Sequence, residues 1–457
     1  MAPTLFPQEI LDLFISTLVS DASESDLSAA LKACALVSKS FSASAQAHLF
    51  STIHLEYDFS NKATFRTVQN LREVLEGNQR LAANVRVFEV YFKNIKWSSI
   101  TSWYGANVDE VALPSIMDVL ARAQSPLSPF KFGSAEGSRR QIGKLNTLGL
   151  GGYNGHETAW SLLHSNFQRA WERLIIASPG LSTLRLRTIR QYPLNHIFFY
   201  IPQLQRLEMS QYTFNGFQDR LPRLPRRKSL SRIVPPRPRL LELKTDDSIT
   251  ETEMYGPQDT KASREIPNEL FGSLEVVECY LVRSWPHVYV DIVSVCAQTI
   301  KLLKITSPRY TDMGLPIFDS LDLGTLPALR ELVFELRHDV PYCWFRMPSV
   351  LDLLERSTPN TIHTLRIDIL TDSPASQLQY GLPEFVQHPQ TEIFERLDRI
   401  LSGNSFAALV TLHVRLVWPA LTLEIPKHNP TLLPIGVEFE DLMLRLPHTY
   451  EKLGVAK

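Results

Sequence analysis

One element recurs from residue 85 onward and constrains the fold of this chain more than any other feature, a short apolar segment of the form L-x-x-L-x-L. Clear copies are Leu145/Leu148/Leu150, Leu181/Leu184/Leu186, Leu204/Leu207/Met209, Ile300/Leu303/Ile305, Leu329/Leu332/Phe334, Ile362/Leu365/Ile367 and Leu409/Leu412/Val414. Weaker ones are Val85/Phe88/Val90, Leu274/Val277/Cys279 and the stretch around Leu241 and Leu243. The last two apolar residues of each copy alternate as on a strand and point inward, while the first turns the chain in from the preceding loop. Helical segments lie between several copies: PSIMDVLARA, AWSLLHSNFQRAWERLIIAS, VYVDIVSVCAQ, PSVLDLLERS and EIFERLDRILSG. Strand alternating with helix in this way predicts a parallel sheet, because parallel neighbours need a crossover connection.

The motif resembles the irregular leucine-rich repeats found in many F-box proteins. Regular repeats of this kind run about 20–29 residues and carry Asn or Cys after the motif. Here the interval is 36 residues from Leu145 to Leu181 but 23 from Leu181 to Leu204, and the Asn is missing. The expected fold is therefore an α+β or α/β repeat, with a helical unit over residues 1–55, an irregular leucine-rich-repeat solenoid with a parallel sheet over 56–424, and a capping segment over 425–457. A doubly wound α/β domain with Leu-rich strands is the alternative.

The first fifty residues obey a different rule. Pro7 suits the first turn of a helix, and Ile10, Leu11, Phe14 and Leu18 follow at spacings of three and four, one apolar stripe. The polar stretch SDASESD marks a break, after which Leu27, Leu31, Cys34 and Ala35 form a second stripe. Leu36, Val37 and Phe41 continue the signal, and Leu49 and Phe50 close it. A unit of about fifty residues is at the margin of what can bury its own core, which predicts that a partner or the next domain completes its apolar face.

This segment resembles an F-box, the docking unit of fungal-type and other F-box proteins, on Pro7, Glu9, Ile10 and Leu11, on Leu27 after the acidic break, on the run Leu36-Val37-Ser38-Lys39-Ser40-Phe41, and on Leu49-Phe50. Phe6 stands where the family usually has Leu before Pro, and Phe41 where Trp is commoner. The resemblance implies a substrate-recognition adaptor of a cullin–RING (SCF-type) ubiquitin ligase, with Pro7, Ile10, Leu11, Phe14, Leu36, Val37 and Phe41 docking on a Skp-type adaptor and the repeats binding a protein substrate. The alternative is a leucine-rich-repeat scaffold that acts without a cullin.

Strand positions between or just after the inward residues are the candidate substrate surface: Arg185, Arg187, Glu208, Glu278, Tyr280, Lys304, Glu335, Arg366, Asp368, His413 and Arg415. Their mixed charge points to a protein or peptide partner, since a nucleic-acid track would be mostly basic. Net charge is −1, so no global field draws the chain to nucleic acid or an anionic membrane. Glu9 and Asp12 interrupt any signal-peptide core, and no apolar run approaches a membrane span. Four cysteines without paired spacing fit a reducing cytoplasm or nucleus.

One interval, 214–270, breaks the repeat rhythm and is expected to be an inserted loop. Residues 220–239 hold eight basic residues, five prolines and no acid; residues 246–269 hold seven acids against Lys261 and Arg264. Ser229, after Arg226-Arg227-Lys228, is a candidate phosphorylation site, although a solvated insertion whose two halves partly neutralise one another is the favoured reading of the segment.

Catalytic signatures fail. Gly149, Gly151 and Gly155 approach G-x-G-x-x-G, but Asn154 takes the third glycine's place, so a repeat turn is expected there. Gly143-Lys144 lacks the following Ser or Thr of a phosphate loop, and His156-Glu157 has Trp160 where a zinc-protease helix needs its second histidine. No catalytic residue, metal or cofactor is expected, and the chain reads as a non-catalytic interaction protein.

Overall fold

The computed structural model describes residues 8–21, 24–58, 61–93, 109–125, 144–152, 158–160, 163–190, 192, 200–210, 239–245, 271–280, 286–307, 321–338, 347–357, 361–371 and 391–417. The chain forms two compact units, the first of residues 1–212 with 219–238, the second of 213–218 with 239–457.

The first unit begins with three helices, α1 (Gln8–Asp21), α2 (Glu24–Val37) and α3 (Lys39–Leu49). Ser38 separates the last two: its backbone is extended and its side-chain oxygen accepts from the Phe41 N–H, capping α3. The core of this bundle is small. Ile15, Leu31 and Ala45 are buried, with Leu18, Val19, Leu27, Cys34, Ala35, Phe41 and Leu49 packed around them. The α1 stripe differs from the expected one: Leu11 and Ile15 are buried, while Ile10 and Phe14 are half exposed. The spacing rule admits either face, and Ile15 turns inward to pack with Leu31 of α2 and Ala45 of α3.

Five parallel strands follow, β1 (Thr52–Asp58), β2 (Val87–Lys93), β3 (Thr147–Gly152), β5 (Thr183–Arg187) and β7 (Arg206–Ser210). A two-residue strand, β4 (Thr158–Ala159), pairs with β6 (Ile189–Arg190) in a separate small sheet. The register places Ile53, Phe88, Leu148, Leu184 and Leu207 in one row, and Leu55, Val90, Leu150, Leu186 and Met209 in the next. All ten are buried, so the motif's last two apolar positions do face inward. Each such residue contributes about 1.5–3 kcal/mol. β1 was not among the predicted copies, although Ile53, Leu55 and Tyr57 alternate inward.

Helices Lys62–Gly77, Gln79–Asn84, Asp109–Gln124 and Ser165–Ala177 accompany these strands. The last is shorter than predicted, because Ala159 is in β4 and Trp160 packs in an aromatic cluster with Phe167 and Tyr192. Trp171, fully buried, donates its indole N–H to the Tyr192 hydroxyl at 2.8 Å. Buried Gln124 donates to the carbonyls of Ala82 and Val85 and accepts from the Leu145 N–H, satisfying three backbone groups at once.

The second unit has six parallel strands, β8 (Glu242–Thr245), β9 (Val276–Tyr280), β10 (Leu302–Ser307), β11 (Glu331–His338), β12 (Thr364–Thr371) and β13 (Thr411–Val417). Leu243, Val277, Leu303, Leu332, Leu365 and Leu412 lie in one register row, and Cys279, Ile305, Phe334, Ile367 and Val414 in the next. Helices Pro286–Val295, Met347–Arg356 and Thr391–Ser402 match the predicted segments. β8 lies within the interval read as a loop, so that interval contributes a strand; the rest of 214–238 and 246–270, with Ser229, lies outside the described residues, as does the segment 425–457.

The architecture is thus α/β, with parallel strands alternating with helices. No helix among the described residues is long and apolar enough to cross a membrane.

Candidate functional site

Two surfaces stand out, one apolar and one charged. On the helical bundle, Ile10 is 50% exposed, Leu13 64%, Phe14 54%, Leu36 88% and Val37 69%. Leu36 and Val37 end α2 immediately before the Ser38 cap, and Phe14 of α1 meets Phe41 of α3 edge-on at 6.0 Å between ring centroids. Scattered exposed apolar residues are ordinary, but five on so small a bundle leave its apolar surface unfinished. Of the seven residues expected to dock an adaptor, Ile10, Phe14, Leu36 and Val37 are exposed, Phe41 is half-buried, and Leu11 belongs to the bundle core. Pro7 lies outside the described residues. Leu13 was missed, although it stands three residues after Ile10.

The charged surface is formed by strand residues that alternate with the buried rows. In the first unit His54, Glu89, Gly149, Arg185 and Glu208 share one register row, and Glu56, Tyr91, Gly151, Arg187 and Ser210 the next. Arg185 bridges two carboxylates: Nη1 is 2.8 Å from Glu89 Oε1 and Nε 2.9 Å from Glu208 Oε2. To reach Glu89 it must cross β3, and this strand has no side chain there. A Cβ on Gly149 would lie 2.7 Å from the Glu89 Cγ. One row on, Arg187 crosses Gly151 in the same way and stands over the Tyr91 ring, 5.1 Å from its centroid. Gly149 and Gly151 are therefore not a repeat turn, as predicted, but the middle of a strand over which two arginines pass. Gly143, Gly155, His156 and Glu157 lie outside the described residues.

His54 Nδ1 lies 3.1 Å from Glu89 Oε2, and Lys93 pairs with Glu56. Burial pushes the Glu89 carboxyl up, but hydrogen bonds and charge from Arg185 and His54 outweigh it and hold the group below its ordinary value. The Tyr91 phenol, buried and close to Glu89, is pushed up to about 12.

In the second unit Lys244 pairs with Glu278, Lys304 with Glu335 at 2.6 Å and Arg366 with Asp368 at 2.6 Å. Glu335 and Asp368 are register neighbours and both buried. Burial raises the Asp368 carboxyl above its ordinary value, and Arg366 offsets this only in part. His413 is exposed on β13, in the row of Arg366. Tyr280 and Arg415 occupy the strand positions expected of them, with side chains outside the described set.

The two shifted carboxylates make opposite predictions. Glu89, depressed in the fold, contributes stability that is present above its ordinary value and lost as pH falls through the folded one. Asp368, raised, contributes stability present below its ordinary value and lost as pH rises through the folded one. Near neutrality, Glu89→Gln lowers the urea midpoint and Asp368→Asn raises it, and both differences shrink as the solution is acidified. Shifts of the same sign would contradict the assigned environments.

Of the strand positions expected from the sequence, Arg187 and His413 are exposed, Arg185, Glu208, Glu278, Lys304 and Arg366 are partly buried, and Glu335 and Asp368 are buried, each described within its own unit. His54, Glu89, Tyr91 and Lys244 were missed, although Glu89 and Tyr91 follow the inward residues of the weak copy at Val85. Among the described residues no group of three or more His, Cys, Asp or Glu side chains could hold a metal ion. No family model and no curated protein matches the chain.

Proposed function

We propose that the chain is the substrate-recognition subunit of a cullin–RING ubiquitin ligase, in which the helices of residues 8–49 act as an F-box-like unit on a Skp-type adaptor. The strands and helices that follow act as an irregular leucine-rich-repeat solenoid that holds a protein substrate. The observation that carries this reading is the set of exposed side chains Ile10, Phe14, Leu36 and Val37 on a bundle whose buried apolar residues, among those described, are Leu11, Ile15, Leu31 and Ala45. Those four are among the positions that the F-box resemblance assigns to the adaptor. A few well-packed, desolvated side chains carry most of an interface when a partner covers them.

The chain itself breaks no bond in this scheme. It raises the effective concentration of a substrate near the conjugating enzyme, a contribution of geometry alone. The alternating ion pairs of the strand rows favour a protein or peptide substrate over nucleic acid. Buried free thiols at Cys279 and Cys296, both pushed up to about 12 by burial, fit residence in the reducing cytoplasm or nucleus.

Affinity purification of the tagged full chain tests the assignment. Retention of both a Skp-type adaptor and a cullin is expected. Adaptor without cullin would instead favour a scaffold, and neither would remove the assignment.

A further inference from the structure

Three of the four permanent cations with described side chains on the strand face of the first unit have a carboxylate partner: Lys93 with Glu56, Arg185 with Glu89 and Glu208, and Arg206 with Glu208. The fourth, Arg187, is exposed and lies against the Tyr91 ring. Beneath it the Tyr91 hydroxyl is buried and has no hydrogen-bond partner. Both groups therefore hold donors that the fold does not use.

The backbone that positions Arg187 is unusual. The next residue, Thr188, is buried and adopts φ 47°, a left-handed conformation that a β-branched residue rarely takes. It is held there by its hydroxyl donating to the Gly152 carbonyl at 2.9 Å and its N–H donating to the Ser210 carbonyl at 2.7 Å. The Arg187 carbonyl occupies the place where a Gly151 side chain would stand, 1.9 Å from that Cβ. Strain of this kind, maintained by the surrounding structure, is characteristic of residues that bind something.

We propose that Arg187, seated on Tyr91 above the Gly149–Gly151 strip, is the point at which this unit takes an acidic side chain of a peptide. The inference rests on the receptor function proposed above and names its substrate class. A guanidinium stacked on a ring keeps its N–H edge outward, where it meets a carboxylate through two parallel hydrogen bonds, and loses little freedom in doing so. Glu89 and Glu208 stand in the adjoining row, already paired with Arg185. They oppose a second negative charge and so favour a carboxylate over a phosphate.

Fluorescence anisotropy of the full chain at low salt tests this with labelled oligoglutamate, oligolysine and oligo-phosphoserine peptides of equal length. Oligoglutamate is expected to bind more tightly than the other two. Arg187→Gln weakens it by about tenfold or more, the scale of a charge-assisted hydrogen bond, while Arg187→Lys recovers only part of the loss. Arg173→Gln, which removes an exposed helix-surface arginine paired with Asp118, leaves binding unchanged. No binding of oligoglutamate, or equal binding by Arg187→Gln, overturns the assignment, as does tighter binding of phosphoserine. In the same preparations Arg187→Gln still captures a Skp-type adaptor. Loss of adaptor capture by the parent chain, with oligoglutamate binding intact, would count against receptor function and not against the acidic-peptide site.

Discussion

Aspartate at positions 14 and 36 together abolishes capture of a Skp-type adaptor and leaves the unfolding transition of the chain almost unchanged. Phe14 is 54% exposed and Leu36 88%, so neither change opens a cavity, and surface substitutions usually shift stability by within about 0.5 kcal/mol. At an interface the same side chains act as anchors, each costing about 2 kcal/mol or more when truncated, and the pair therefore costs roughly a thousandfold in affinity. Leu11→Ala separates contact from folding. Leu11 is 7% exposed, and its truncation destabilises the bundle by about 2–5 kcal/mol, so any loss of binding there should track loss of helix. Titration calorimetry beside thermal unfolding by circular dichroism distinguishes the two cases. A Phe14/Leu36 variant that unfolds with the Leu11 variant would show that the exposed face is part of the fold.

Gly151→Ala is the second large effect, and it falls on stability. The added methyl carbon would lie 1.9 Å from the Arg187 carbonyl oxygen, 2.7 Å from its carbonyl carbon and 2.8 Å from its Cα. These are backbone atoms of a neighbouring strand in register, so no rotamer change relieves the clash. The strands must separate, at a cost of about 3 kcal/mol or more. For Gly149→Ala the three nearest atoms all belong to the Glu89 side chain, the first at 2.7 Å, and this chain can move aside at the expense of its contact with Arg185. A smaller loss is expected there. Denaturant unfolding measures both, and equal losses would contradict this account of the close approach.

Much of the strand layout was legible because L-x-x-L-x-L fixes which two side chains face inward. Leu184 and Leu186, or Leu365 and Ile367, could only be buried together on one face, and so they are. The residues between and beyond them, such as Arg185, Glu335 and Asp368, follow from alternation. Alternation says nothing about partners. Glu89 joins Arg185 from 96 residues away, and only the parallel register brings the two together. Gly149 and Gly151 resembled a broken phosphate loop because a glycine needed for close approach of strands looks the same in sequence as one needed for a turn. α1 was legible as a helix, yet Ile10 and Phe14 match an apolar stripe as well as Leu11 and Ile15 do, and the choice of face is made only when the three helices pack.

Binding of the full chain to a purified Skp-type adaptor, followed by calorimetry, tests receptor function most directly. A tight one-to-one complex is expected, with the negative heat-capacity change that accompanies burial of Ile10, Phe14, Leu36 and Val37. A folded chain that gives no heat and no complex at high concentrations of both proteins would contradict it.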